Sequence, residues 1–335
     1  MRKIKKCEKT KRRSSTLVLL FVIFELVFTT ITGPFVVYYG PFKNVRTTVV
    51  GAAMTTLKTQ WIATLFLSKT KIKQIMSDQK VESLVQDNLN GVKVKNKNDN
   101  NIERYDVSGN KFKGYILVIN DPTRIKVGYS SKIGVEGQLT SDIAKDNNAI
   151  AAINGGGFTD EATGSKWTGT GANPAGVIMT NGKIVYNNIK NENEKRQVVA
   201  FTKAGELLVG PHSIKEMKSS GVNEAVSFGP ALIVNGKKTI TKGDGGWGIA
   251  PRTAIAQRKD GAIIMLVIDG RHVNSLGATL KEVQDVLYDY GAYNATNLDG
   301  GSSSTLFYDD EVINNPCDSL GERSVPSIIY VESRK

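Results

Sequence analysis

Twenty-three consecutive positions, Leu17 to Tyr39, constrain this 335-residue chain more than any other feature. The stretch opens LVLLFVIFELVF and stays apolar from Ile31 to Tyr39. As a helix it is long enough to cross a hydrocarbon core, which takes about 20 residues. Directly before it stand eight basic side chains (Arg2, Lys3, Lys5, Lys6, Lys9, Lys11, Arg12, Arg13) and one acid, Glu8. That tail holds +7 of the net charge of +12, leaving +5 for the other 322 residues. Basicity placed this way is a topology signal and not a nucleic-acid-binding face. It predicts a cytoplasmic tail, a single-pass anchor in the cell membrane and an extracytoplasmic remainder. A cleaved signal peptide is the competing reading, since the densest apolar part is short, but no A-x-A-like site follows Phe28. Glu25 inside the span is either a tolerated carboxyl or a contact with a membrane partner.

Residues 1–16 are therefore expected to be a basic tail, 17–39 the anchor, 40–101 a juxtamembrane helix and linker, and 102–335 the functional domain. In the second segment Val50, Met54, Leu57, Trp61 and Leu65 recur at helical spacing, while Thr48, Thr55, Lys58 and Thr59 dilute the other faces. This helix packs on the soluble domain or lies in the outer-leaflet interface. Residues 69–101 read as a short helix and then a Lys/Asn-rich linker. At 40% hydrophobic and 23% charged residues, a sizeable core is available and wholesale disorder is excluded. Two Cys exclude a disulfide scaffold and a Cys-rich zinc module, and two His disfavour a His-based metal site. Cys7 and Cys317 fall on opposite sides of the expected membrane, so Cys317 reads as a free structural thiol.

The domain pattern is α+β: a strand-rich mixed sheet with few helices. Strand-like runs stand at 114–119, 124–129, 149–154, 175–179, 183–186, 231–234, 253–257, 263–268, 294–298, 305–308 and 327–331. Asn181-Gly182, Asn235-Gly236 and Lys259-Asp260-Gly261 mark hairpin turns. The clearest helix, 280–290, opens with a Thr279/Glu282 capping box and ends before Gly291.

Polar motifs cluster after the strands. Asn154-Gly155-Gly156-Gly157 could bring backbone N–H groups to an anion, or could be a tight turn; it is neither a Walker loop nor a dinucleotide fingerprint. Arg252 could clamp a phosphate or carboxylate bidentately. An almost wholly apolar strand ends in Asp269-Gly270-Arg271, with His272 read as a rim residue. Asp299-Gly300-Gly301-Ser302-Ser303-Ser304 supplies a carboxylate beside N–H and hydroxyl donors, and Glu322-Arg323 adds another carboxylate and guanidinium. The hairpin joining 253–257 to 263–268 predicts that Arg252 neighbours the Asp269–Arg271 turn.

NGGGF, FGPALIVNG, APRTAIA, LVIDGR, GATLKEVQDVLYDYGA, NLDGGSSSTL and GERSVP occur in this order. Together they resemble the phosphodiester glycosidase family, over about residues 102–335. The family's glycine loop commonly reads NGGFF where this chain has NGGGF. The resemblance implies hydrolysis of a sugar 1-phosphodiester on the sugar side, with envelope or exopolysaccharide glycans as the substrate class. It makes Asp269, Asp299 and Glu322 the candidate catalytic carboxylates. Asn154, Gly155, Gly156, Gly157, Arg252, Arg271, Ser302, Ser303 and Arg323 become candidate substrate-binding groups. No metal or other cofactor is required by spacing, although carboxylates can bind Ca²⁺ or Mg²⁺. The expected partners are the glycan or sugar-phosphate substrate and the membrane, with no nucleic acid. A non-catalytic glycan-binding protein and a metal-dependent phosphodiesterase are the competing readings.

Overall fold

The computed structural model describes residues 2–55, 59–77, 79, 81–86, 89–159 and 170–334, with the backbone alone at 2–15 and 55. The side chains of the basic tail, Leu57 of the expected helical face and Lys58 of the polar faces lie outside the described residues. The chain divides into two units, Met1–Ser77 and Asp78–Lys335.

In the first unit one helix runs Arg2–Tyr39. Its segment Thr16–Tyr39 is long and apolar enough to cross a membrane, a property that a signal sequence shares. Helices Lys43–Thr55, Gln60–Thr64 and Lys69–Ser77 follow. They bury Val50, Ala53, Ala63, Leu67, Ile72 and Ile75 against Tyr38 at the end of the long helix.

The second unit is built from antiparallel sheets and short helices. The largest sheet orders its strands Ile102–Ser108, Lys113–Ile119, Ile263–Ile268, Arg252–Arg258, Ala292–Asn297, Ala231–Val234 and Lys237–Lys238. A second sheet runs Leu207–His212, Arg196–Thr202, Val222–Val226, Val177–Thr180 and Lys183–Asn187. The third runs Glu311–Val312, Leu306–Tyr308, Ala149–Asn154, Ser327–Glu332 and Ile125–Tyr129.

The strand Ile263–Ile268 shows why an uninterrupted apolar run belongs in the middle of such a fold. Successive side chains in a strand point to opposite faces. Ile263, Met265 and Val267 enter one core with residues of all three sheets, among them Ile153, Val199 and Ile329. Ile264, Leu266 and Ile268 enter a second core against Leu280, Val283 and Leu287 of helix Leu280–Asp289. Full burial of each such side chain is worth about 1.5–3 kcal/mol. The helix starts at the expected capping box: the Thr279 hydroxyl accepts from Glu282 N, and the Glu282 carboxylate accepts from Thr279 N. It stops where Gly291 takes φ +84°.

Residues 79–101 are not a free linker. Gln86, buried, donates through Nε2 to Leu207 O at 3.0 Å and accepts from Val209 N at 2.8 Å. Glu82 N bonds Thr239 O, and Lys93 N bonds Lys259 O. Amides that look solvated in a polar sequence are here paired with the sheet edges, so the domain begins about two dozen residues before the expected boundary at 102.

Candidate active site

Three strands of the domain deliver their ends to one place. Arg252 pairs with Ile268 and Ala254 with Asn297, so the start of Arg252–Arg258 lies beside the ends of Ile263–Ile268 and Ala292–Asn297. The hairpin neighbourhood of Arg252 and Asp269 follows directly from that register. The third sheet joins through Asn154, which is wholly buried. Its Oδ1 accepts from Thr253 Oγ1 at 2.7 Å and Thr305 N at 3.2 Å. Its Nδ2 donates to Asp299 O at 2.7 Å. Asn154 thus ties the strand Arg252–Arg258 to the Asp299 turn and to Thr305, and offers its amide to the protein.

The glycine loop behaves likewise. Gly155 N bonds Ser327 O, Gly156 N bonds Ser327 Oγ and Gly157 N bonds Ser227 O. All three N–H groups face protein acceptors, where the sequence left open an anion-binding nest. Close packing explains the composition: a Cβ on Gly155 would sit 2.7 Å from Ser327 Oγ, and one on Gly157 2.9 Å from the Phe228 ring. Gly155 O in turn accepts from Asp299 N, so the loop sets the height of the Asp299 turn.

Asp299 is half-buried on that turn and makes further interactions of its own. Gly301 N bonds Pro251 O at 2.9 Å, docking the turn on the Pro251-Arg252 step. Beside it Arg271 adopts φ +62°, a left-handed conformation unusual for a side chain of this size. From there the exposed guanidinium reaches Ser302 Oγ at 3.2 Å and Cys317 Sγ at 3.7 Å. A Cβ on Gly301 would sit 3.2 Å from Nη2, and Gly301 takes φ +65°, the left-handed region that favours glycine.

Arg252 differs from Arg271 in every respect. It is buried, and its Nε donates to Ala278 O at 3.0 Å while Nη2 donates to Trp247 O and Gly248 O at 3.1 and 2.7 Å. Burial, with a smaller contribution from the Arg271 charge, pushes its guanidinium down to about 10. It holds the Gly-rich 243–248 loop in place.

Asp269 is also buried. Burial raises its carboxyl above the usual range, although Asn315 N and Asn314 Nδ2 donate to Oδ1 at 2.9 and 3.1 Å. It positions the 314–317 loop that carries Cys317. His272 rests its Nε2 on Asn315 O at 3.0 Å. Glu322 is engaged elsewhere, accepting from Ser141 N at 3.0 Å and Ser141 Oγ at 2.5 Å in the first turn of helix Thr140–Asp146. The guanidinium of Arg323 lies over the Phe158 ring at 4.9 Å. Ser302 is half-buried, Ser303 almost fully buried. Among the described residues no three His, Cys, Asp or Glu side chains converge as a metal site would require.

Sequence reasoning passed over Phe228 and Trp247. Both are half-buried, and their rings meet edge to face at 6.1 Å. Phe228 abuts Gly157, and Asn297, two residues before Asp299, bonds Gly229 O through Nδ2. The signal was a tryptophan between glycines, which take φ +78° and +62°, in a glycine-rich loop.

The chain is similar to several known proteins. A stretch of 81 residues, 24% of this chain, is 37% identical to the SPbeta prophage-derived uncharacterized protein YomE of Bacillus subtilis (strain 168). That match spans 12% of the relative's length. The fold resembles the catalytic domain of zebrafish N-acetylglucosamine-1-phosphodiester alpha-N-acetylglucosaminidase, solved auto-inhibited by its pro-peptide. The TM-score is 0.59 at 22% identity, over 72% of this chain and 87% of that one. An exported-protein structure from Burkholderia pseudomallei K96243 gives a TM-score of 0.50 at 16% identity, over 66% and 74%. The phosphodiester glycosidase family model matches residues 147–332, more than half of the chain, and the chain belongs to that family.

Proposed function

We propose that this protein is a membrane-anchored hydrolase that cleaves a sugar 1-phosphodiester on the sugar side, acting outside the cytoplasm on envelope or exopolysaccharide glycans. The observation that carries the reading is the contact of Arg271 with Ser302 on the turn that begins at Asp299, backed by the family. A phosphodiester is anionic, and the exposed Arg271 fork beside a serine hydroxyl suits its oxygens. Asp299, as base or nucleophile, serves the sugar carbon as carboxylates do in glycosidases. The bond between C1 and the bridging oxygen breaks, its electron pair leaves with the phosphomonoester, and water supplies the new oxygen on C1. Phosphate is a good leaving group, so strong acid help is dispensable. The Phe228–Trp247 corner supplies an apolar wall for a sugar ring.

The anchor assignment rests on Thr16–Tyr39 and on charge placement. Eight Lys/Arg precede the span, while the twenty residues after it hold Lys43, Arg46 and Lys58. That asymmetry favours a cytoplasmic N-terminus.

The test is turnover of a panel of sugar 1-phosphodiesters by the full chain in detergent. Parent protein should release free sugar from at least one of them. Asp299→Asn keeps size and polarity, so it should stay folded while kcat falls by about a thousandfold or more, as when a group acting in the transition state is lost. No turnover on any substrate, or a folded Asp299→Asn variant with near-parental rates, would overturn the reading.

A further inference from the structure

We infer that helices Lys43–Thr55, Gln60–Thr64 and Lys69–Ser77 form a cap that lies in the lipid headgroup layer where the long helix leaves the membrane, and that it binds an anionic bilayer surface. The inference rests on the spanning reading of Thr16–Tyr39 and on no catalytic activity.

The depth of the cap follows from its contacts. Phe66 stacks on Tyr38 at 4.9 Å and meets Phe35 edge-on at 5.6 Å. Tyr38 Oη donates to Ile62 O at 2.7 Å, and Tyr39 Oη donates to Phe66 O. Arg46 Nη1 donates to Tyr38 O and Gly40 O at 3.1 and 3.2 Å, satisfying carbonyls at the end of the long helix. Residues 62–66 are thereby held against the last turn of the span. A helix of 24 residues is about 36 Å long, slightly more than a hydrocarbon core, so that last turn lies at the membrane–water boundary.

What the cap exposes at that depth is apolar. Trp61 is 63% and Leu65 68% exposed, four residues apart and so on one helical face. Phe42 and Val45 are exposed too, as are Phe35 and Tyr39 of the span. Aromatic and aliphatic side chains in this position are at home among lipid headgroups, where tryptophan in particular partitions. Charge is an independent indication. Residues 40–77 contain six Lys or Arg and no Asp or Glu at all. Lys69, Lys71 and Lys73, on the last helix, are all exposed. An exposed apolar patch on a segment of net positive charge complements an anionic lipid surface.

Trp61 is its own reporter. The full chain and its Trp61→Phe variant are reconstituted into vesicles of phosphatidylcholine with phosphatidylglycerol, with and without lipid brominated high on the acyl chain. The difference between the two emission spectra is the Trp61 signal. It should be blue-shifted and strongly quenched by the brominated lipid, and exchanging Lys69, Lys71 and Lys73 for Gln should weaken the quenching. A Trp61 signal quenched by aqueous iodide instead, or shielded from both quenchers by a protein partner or a second copy, would overturn the inference. Loss of the protein from the vesicles altogether would overturn the span reading with it, which separates the two failures.

Discussion

Two arginines nineteen positions apart divide the labour at this site, and only one of them can meet a substrate. Sequence placed both near Asp269, and the strand register agrees, but register does not say where a guanidinium points. Arg252 turns into the protein and holds three carbonyls, whereas Arg271 sits exposed in a left-handed turn. Lys at each position should therefore give opposite signatures. Arg252→Lys keeps a charge but strands buried carbonyls, at about 1–3 kcal/mol, so the denaturation midpoint should fall. Arg271→Lys should leave stability within about 0.5 kcal/mol. Its kcat/KM should drop about tenfold or more, the effect of losing about 1.5–3 kcal/mol of charge-assisted hydrogen bonding. Equal stability losses in the two variants would contradict the division. Asn154 was likewise legible as a site residue by position, but its three bonds to protein groups make it a tie between a strand and the turns beside it.

At the scale of elements, the strands legible from sequence were those with strong punctuation. Asn235-Gly236 follows Ala231–Val234, and Ile263–Ile268 matches its apolar run. Strands Arg196–Thr202 and Leu207–His212 went unread because polar residues and Pro211 interrupt their alternation, while tertiary packing of Val199, Phe201 and Val209 decides their state. The glycine loop could be read as an element but not for its use, because N–H direction depends on the facing strand Ser327–Glu332. That use is testable. Gly155→Ala would place a methyl against Ser327 Oγ and O, at 2.7 and 2.9 Å. Such overpacking costs about 1–3 kcal/mol. Because Gly155 O holds Asp299 N, turnover per folded molecule should fall as well. Calorimetry and single-turnover rates on the same sample check both; a variant with parental stability would mean that the loop yields freely.

In the larger unit, the segment before the first strand and the C-terminal end are tied together at Asp121 and Arg124. Arg334 Nη1 pairs with buried Asp121 at 2.7 Å, and Arg124 donates to Glu332 O and Asn100 O. Burial pushes the Asp121 carboxyl up, but donors on Thr123, Asn98 and Arg334 outweigh it and hold it below the usual range. A carboxyl lowered by folding adds stability above its unfolded value of about 3.9, and that stability is lost as pH falls through the folded value. Asp269, raised by burial, works the other way, its penalty growing as pH rises through the window just above about 4. Melting of the parent and of Asp121→Asn between pH 3 and 7 should therefore converge towards the acid end; a constant gap would contradict the linkage. The same ties explain why residues 79–101 belong with the domain although their composition reads as a linker. The central claim, that bond cleavage falls between the sugar carbon and the phosphate oxygen, is tested most directly by running the full-chain reaction in water enriched in oxygen-18. The account predicts the label in the released sugar; label in the phosphate product would contradict it.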